Sequence, residues 1–545
     1  MSGRRKHGTI ALILIAAALV LLTNIPLLYG YLNSHPGLKF MGVVAGVRDA
    51  NYYFMLMIQA EGWHPVLKNY FAAGEPDAVY HGFFWFLLGK LSHTLNISVL
   101  LAYHGARVLA TAMLVPVSYC FLARFTKSKN ERLATLVMLC FGAGAGWVQM
   151  IRYRQTGSLG LVPADTGTPE ASTFFTTMTF PHLSFALILI VLCSWLLMKA
   201  ISERKTWPAT LAGLCGLLLG FIHAVNLIII YAAFAAFALA SVVCKKHISA
   251  IRPVKIFGVV SIWSIVYYVY LTVTNPQLLP QAPVRSPAPL SYVVGFAPFL
   301  ALGGLHCVKL LKNRTLPYED LFLICWVITN SLMLYSHPLI SQEARAVLGL
   351  QAPLVVLSGR AIFGAILPYM GLAGQADRTP KPIAAAVVTG LIICFTFPST
   401  FYNIFERVSR LRSSPETFSL TEDEYAALEF LRNEQSTEVV LSADWIGNYV
   451  PRVARKYSWL GQYDLPSHDS RLALASKFFA EATLESERYD LLKRHKIRFI
   501  FHGVDERKLG KFDPDRSTFL TRIFQKGSVN IYRFETKQNK GMPTP

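Results

Sequence analysis

The sequence predicts a polytopic α-helical membrane protein of about eleven transmembrane helices with a C-terminal α/β domain outside the membrane. Three observations carry that expectation. The 545 residues are 53% hydrophobic and only 15% charged, against roughly one quarter charged in soluble domains. Apolar runs of near-spanning length recur from Ile10 to Phe401. From Glu406 onward the composition turns to that of a soluble mixed chain.

The first span is Ile10–Leu32, behind Arg4-Arg5-Lys6. At 1.5 Å per residue it covers roughly 34 Å, enough to cross, and no small-residue cleavage site closes it. It reads as an uncleaved anchor with a cytoplasmic N-terminus. Residues 33–96 then form a long external segment with two aromatic-rich amphipathic pieces, Ala50–Glu61 and Val79–Leu95, suited to the interface plane. The second piece could also be read as a short span, which would invert the topology downstream.

Further spans are expected at Ile97–Phe121, Leu133–Ile151, His182–Ala200, Ile256–Thr274, Leu290–Leu311, Asp320–Tyr335, Ala346–Leu367 and Ile383–Phe401. Trp207–Val243 is too long for one span and fits two short ones, with a turn near Gly220–Asn226. The small-residue run Gly142–Gly146 permits close helix packing. This assignment puts nearly every dense Lys/Arg cluster between helices on the cytoplasmic side, as the positive-inside rule requires. The net charge of +20 is thereby explained, and no nucleic-acid partner is expected. It also gathers Asp49, Asp165, Glu170, His223, His337, Glu343 and Arg345 on the outer face. Arg107, a charge in the middle of the span Ile97–Phe121, needs a partner or a function.

All eight cysteines precede the last span and fall mostly in apolar stretches, with no CxxC or Cys/His metal spacing. They read as small buried apolar residues. The chain thus divides into a transmembrane region, 1–404, including the external segment 33–96, and a soluble region, 405–545. In the latter, Thr421-Glu422-Asp423-Glu424 is a capping box opening a helix through Leu431. Glu438–Leu441, Ile497–Phe501 and Val529–Phe534 read as strands and Glu485–His495 as a helix, giving a small, partly parallel sheet. No Gly-rich phosphate loop opens any of its helices, so nucleotide binding is not indicated.

An Asp soon after the first span, two amphipathic helices in that loop, many further helices and an external soluble domain together resemble the GT-C superfamily of membrane glycosyltransferases. Stretches that carry the resemblance are Asp49-Ala50-Asn51-Tyr52-Tyr53 through Glu75-Pro76, Thr168-Pro169-Glu170 through Phe180-Pro181-His182, and Ser341-Gln342 through Arg345 with Gly349-Leu350. In the soluble region they are Glu424, Asp444-Trp445-Ile446-Gly447-Asn448-Tyr449 and Ile531-Tyr532. The resemblance is to a bacterial group within that superfamily, which also holds the protein O-mannosyltransferases and the aminoarabinose transferases.

The resemblance implies inverting transfer of a sugar from a polyprenyl-phosphate carrier to an envelope acceptor (lipid, glycan or protein) at the outer face of a bacterial inner membrane. An acceptor hydroxyl needs a carboxylate to take or orient its proton, and the family pattern puts Asp49 in that place. A second acid from the next external loop matches Glu170 better than Asp165, and the two carboxylates are the candidate ligands of a divalent metal, Mg or Mn. The phosphate needs positive charge, for which Arg345 at the mouth of a span is suited to bidentate binding. Lys68 and Arg48 are further cations for it, and His81, His182 and His337 could add hydrogen bonds or metal ligation. The paired acidic residues of the O-mannosyltransferase loop are absent here, since Asp49 lies between Arg48 and Ala50. Plainer roles stand beside these: helix cap for Asp49, first-turn acid for Glu170, headgroup contact for Arg345. A transporter or flippase of a lipid-linked glycan, or a non-catalytic envelope scaffold, are the other function classes. The absence of an obvious internal repeat speaks against the transporter, and the number of spans against the scaffold.

Overall fold

The structure is a computed structural model that describes residues 2–60, 66–71, 82–157, 160–244, 248–275, 283–372, 382–435, 438–462 and 467–535. It divides into two compact units. The first comprises Met1–Pro26, His104–Leu279 and Pro283–Ser409, and the second Leu27–Tyr103, Pro280–Ala282 and Arg410–Pro545.

Among the described residues, eight helical segments are long and apolar enough to cross a membrane: Gly8–Leu32, Val99–Leu122, Lys129–Tyr153, Pro181–Glu203, Trp207–Val243, Ile251–Thr274, Pro289–Lys312 and Glu343–Tyr369. The expected eleven differs for physical reasons. Trp207–Val243 is continuous apart from His223, whose φ of −155° and ψ of 79° break the helical path. In a straight helix Gly216 and Phe234 would stand roughly 27 Å apart. Yet Phe257 packs both beside Gly216 and on Phe234, with ring centroids 4.8 Å apart. The chain therefore folds back at His223, inside the predicted turn. Helix Tyr318–Met333 has only 16 residues, roughly 24 Å. Helix Pro382–Ser413 extends past the compositional change at Glu406.

The Gly142–Gly146 run does two things. It interrupts the helix between Lys129–Phe141 and Gly146–Thr156, and it brings Gly144 so close to the Gly295 carbonyl that no side chain could fit. Interrupting a helix frees backbone N–H groups that must find acceptors. Asp165, fully buried, takes those of Gly144 (2.9 Å) and Gly146 (3.2 Å) on one carboxylate oxygen. Arg107 is likewise satisfied locally. Its guanidinium, 2% exposed, donates to the carbonyls of Thr23, Thr177 and Met178 and to Asn24 Oδ1.

In the second unit the amphipathic helices span Val47–Gln59 and Phe83–Thr94. The latter, with 12 residues, reaches roughly 18 Å, short of the ~30 Å hydrocarbon core. Strand β1 (Leu38–Phe40) pairs antiparallel with β2 (Ser419–Thr421). A five-stranded sheet contains β3 (Val439–Leu441), β4 (Tyr457–Ser458), β5 (Ile497–His502), β6 (Leu520–Lys526) and β7 (Val529–Phe534) in the order β4-β3-β5-β7-β6. Strand β3 runs parallel to β4 and β5, while β7 runs antiparallel to β5 and β6. Helices His468–Phe479 and Glu485–Arg494 cover it, burying Trp459, Phe478, Phe479, Leu492, Ile500 and Tyr532. The Thr421/Glu424 capping box forms in both directions, at 3.1 and 2.9 Å.

Candidate active site

In the first unit, two short 3-10 turns bring the sequence-predicted residues together. Glu170 lies in Pro169–Ala171, where Pro169 fixes the backbone at the first helical position. Arg345 lies in Glu343–Val347. Their side chains meet, Arg345 Nη1 donating to Glu170 Oε1 at 3.0 Å, while Arg345 Nε donates to Gln342 Oε1 at 3.0 Å. Glu170 is 9% exposed, so its charge needs a partner of this kind.

Buried amides hold both turns. Gln351 accepts from the backbone N–H and hydroxyl of Thr173 (2.7 and 2.8 Å) and donates to the Gly142 carbonyl at 2.6 Å. Asn330 Nδ2 donates to the Ala346 carbonyl at 2.9 Å. Between the Arg345 turn and the next helix, Gly349 takes a φ of +86°, a conformation that costs other residues strain.

His182 opens helix Pro181–Glu203 and stacks on His223, with centroids 6.3 Å apart and planes 9° apart. Asn226 Nδ2 meets His223 Nδ1 at 2.8 Å, which leaves Nε2 to carry the ring proton. Glu343, 5% exposed, accepts from the backbone N–H groups of His337 (2.7 Å) and Ser286 (3.4 Å). It thus ties two loops together rather than facing Arg345. His337 is exposed, and its Nε2 pairs with Arg285 Nη2 at 3.0 Å. An apolar cavity of about 200 Å³ adjoins this loop cluster, lined by Tyr292, Phe296, Val327, Leu334, Tyr335 and Leu350 among others. Tyr292 lies in the field of both Glu170 and Glu343. Asp165 is a structural acid by contrast. Burial raises its pKa to about 6 against the opposing Ser399, Gly146 and Gly144 hydrogen bonds.

Asp49 belongs to the second unit. The N-cap of helix Val47–Gln59 is Gly46, at φ 56°, with no side-chain cap. Asp49 therefore occupies the third helical position, an acid in the first turn favoured by the helix dipole, and not the cap. Its neighbour Arg48 is ion-paired to Asp444, Nη2 to Oδ2 at 2.5 Å, and also donates to the Gly461 carbonyl at 3.3 Å. Lys68 is exposed and bonds to Gln59 through its backbone only in the contacts at 2.7 and 2.8 Å. His81 lies outside the described residues.

The two carboxylates expected to hold a metal, Asp49 and Glu170, fall in different units. Among the described residues no group of three or more His, Cys, Asp or Glu side chains could hold an ion. No ion site is assigned to them. Arg285, Gln351, Asn330, Asp444 and Arg452 were not nominated from sequence as functional. Their roles rest on partners distant in the chain, for which no local motif exists.

Sequence comparison finds no matching family model and no matching curated protein. Fold comparison does find solved relatives. ArnT from Cupriavidus metallidurans bound to undecaprenyl phosphate matches with a TM-score of 0.53 at 11% identity, covering 96% of this chain and 97% of that one. The chain has the GT-C fold. An Archaeoglobus fulgidus oligosaccharyltransferase in the apo form matches with a TM-score of 0.56 at 12% identity, covering 90% of this chain and 69% of that one. The oligosaccharyltransferase AglB from the same organism, in complex with an inhibitory peptide and a dolichol-phosphate, matches with a TM-score of 0.55 at 11% identity over the same shares. A further structure of the A. fulgidus enzyme holds Zn and sulfate. At these identities the likeness shows a shared GT-C fold, and the chemistry must be argued from this chain's own residues.

Proposed function

We propose that this GT-C chain is a glycosyltransferase that moves a sugar from a polyprenyl-phosphate carrier to an envelope acceptor at the outer face of the cytoplasmic membrane. The reading rests on one observation above the rest: Arg345 is held by Glu170 and Gln342 in a turn five residues before Leu350, which lines an apolar cavity. A fixed cation with an apolar neighbour is the chemistry that an isoprenoid phosphate requires. The GT-C relatives bound to undecaprenyl phosphate and dolichol-phosphate support the same class of carrier.

In the proposed reaction the acceptor hydroxyl attacks the anomeric carbon while the bond from that carbon to the phosphate oxygen breaks. The carrier phosphate leaves with the electron pair, its charge met by Arg345. Asp49 takes the hydroxyl proton, and attack opposite the leaving group inverts the anomeric centre. Glu170 orients Arg345, and His182, with its partner His223, supplies hydrogen bonds to the phosphate. His337, Lys68 and His81 are further candidates for contacts to the donor.

Native mass spectrometry of the purified protein with undecaprenyl phosphate tests the carrier assignment. Arg345→Ala is expected to lose the bound carrier that the wild type retains. Equal retention by both proteins would contradict the role given to Arg345.

A further inference from the structure

Helix Val47–Gln59 begins with no side-chain cap, so tertiary contacts must set its direction. Along its length the helix packs on Phe83–Thr94, with Tyr53 stacked on Trp85, but at its first turn the polar contacts come from the C-terminal part of the same unit. Arg48 pairs with Asp444 and bonds to the Gly461 carbonyl. Asn51 Oδ1 accepts from Arg452 Nη1 at 3.0 Å, and Arg452 Nη2 donates to the Met41 carbonyl at 2.7 Å. At 100° per residue, Arg48 and Asn51 share one face of the helix. Asp49 lies roughly 100° from the first and 160° from the second, on the side shared with Tyr52 and Tyr53. The C-terminal residues grip one face, and Asp49 is carried on another.

Asp444 is itself tightly placed. Its Oδ1 meets His468 Nε2 at 2.9 Å, and its backbone carbonyl accepts from Asn448 Nδ2 at 2.9 Å. The N–H of the preceding Ala443 donates to Glu506 Oε1 at 2.6 Å. Gly447 is pressed against the Leu460 carbonyl and Gly461 against the Gly447 backbone, so that neither could carry a side chain, which brings the Arg48 acceptor at Gly461 against the helix that Asp444 opens. One oxygen of Asp444 is thus fixed by its own domain, and the other is presented to Arg48.

We propose that Asp444 is a positioning residue for the first external loop: through Arg48 it sets the direction of the first turn of helix Val47–Gln59 and hence of the Asp49 carboxylate. The functional consequence rests on the reading of Asp49 as the catalytic base, whereas the mechanical one does not. The Arg48 and Asp444 side chains are 30% and 23% exposed. An ion pair so placed contributes direction more than bulk stability.

The test is hydrogen exchange by mass spectrometry on the full chain, following the amides of residues 50–53, the first with acceptors inside the helix. Asp444→Ala is expected to speed their exchange about tenfold, the loss of one charged hydrogen bond, with β5 and β7 unchanged. The reversed pair, Arg48→Asp with Asp444→Arg, is expected to restore protection. Should Asp444→Ala loosen the whole C-terminal domain, Asp444→Asn decides: a rise confined to residues 50–53 upholds the proposal, and a rise throughout the domain overturns it. Unchanged exchange in Asp444→Ala also overturns it. Sugar transfer is read separately, where kcat should fall in Asp444→Ala, with KM for the donor unchanged, and recover in the reversed pair. Wild-type protein that shows the exchange pattern but transfers no sugar would refute the transferase reading and leave the positioning role standing.

Discussion

Arg345 and Glu170, 175 positions apart in the chain, are bonded Nη1 to Oε1 at 3.0 Å. The two residues to which the family resemblance gives separate tasks, binding phosphate and acting as an acid, hold one another. An arginine engaged with a carboxylate is already oriented, so an incoming phosphate gains a preorganised donor but must compete with Glu170 for it.

Neutralising Glu170 should therefore separate binding from turnover. Glu170→Gln is expected to tighten undecaprenyl-phosphate binding by up to about tenfold, since a charged competitor is removed, while slowing transfer. Titration of the carrier against wild type and variant checks the first half. Weaker carrier binding in Glu170→Gln would show that the carboxylate helps the phosphate instead of competing with it.

Gln351, which opens the helix after Arg345, accepts two hydrogen bonds from Thr173 beside the Glu170 turn and donates a third to Gly142. Gln351→Ala would leave the Thr173 N–H and hydroxyl and the Gly142 carbonyl unsatisfied in a buried place, a cost of about 2–3 kcal/mol. A lower thermal midpoint of the purified protein is expected, together with reduced carrier binding. An unchanged midpoint would mean that water replaces the amide.

Arg107 resolves the expensive charge within a span by donating to three backbone carbonyls and Asn24. Replacing it with Met keeps the length and abandons those acceptors. Arg107→Met is expected to cost about 2–4 kcal/mol, seen as a lower midpoint and reduced membrane yield. Full stability with loss of activity would instead assign Arg107 to the chemistry.

The C-terminal domain should respond to pH through Glu506. Burial raises its pKa from 4.5 to about 7, opposed by the Ala443 and Gly503 N–H groups and aided by Asp505. A carboxyl with a raised folded-state pKa contributes stability that is present below about 4.5 and lost as pH rises through about 7. Burial also lowers the pKa of His502 to about 4; this works in the opposite direction, adding stability as pH rises from about 4 to 6.5. Between about pH 6.5 and 8 the Glu506 effect dominates, so exchange of the segment around Ala443 should quicken with pH beyond its intrinsic rise. Glu506→Gln is expected to flatten that excess, and an excess that persists would place its origin elsewhere.

Hydropathy revealed the helical membrane region, because each span satisfies its own backbone and is apolar over its whole length. The fold-back at His223 was legible too, since Gly220–Asn226 interrupts a run too long for one crossing. Pairing of β1 with β2 was not. Each strand has three residues and a partner near the other end of the chain, so no local periodicity marks it. Arg48 and Asp444 lie 396 positions apart, and their sequence neighbourhoods carry no sign of one another. Arg107 illustrates a different limit: its charge was conspicuous, but its acceptors are mostly backbone carbonyls, which every residue has. Asp165 and Glu170 were separable only by their contacts, one taking the N–H groups of Gly144 and Gly146, the other an arginine.

The most direct measurement is mass spectrometry of envelope glycans from cells carrying the wild type, a deletion and Asp49→Asn, with membrane levels of the variant matched to the wild type. Asp49→Asn is expected to lack the same glycan as the deletion while still binding undecaprenyl phosphate. Wild-type glycans in Asp49→Asn, with altered glycans in the deletion, would contradict Asp49 as the catalytic base and favour carriage of a lipid-linked glycan or a scaffold role over transfer.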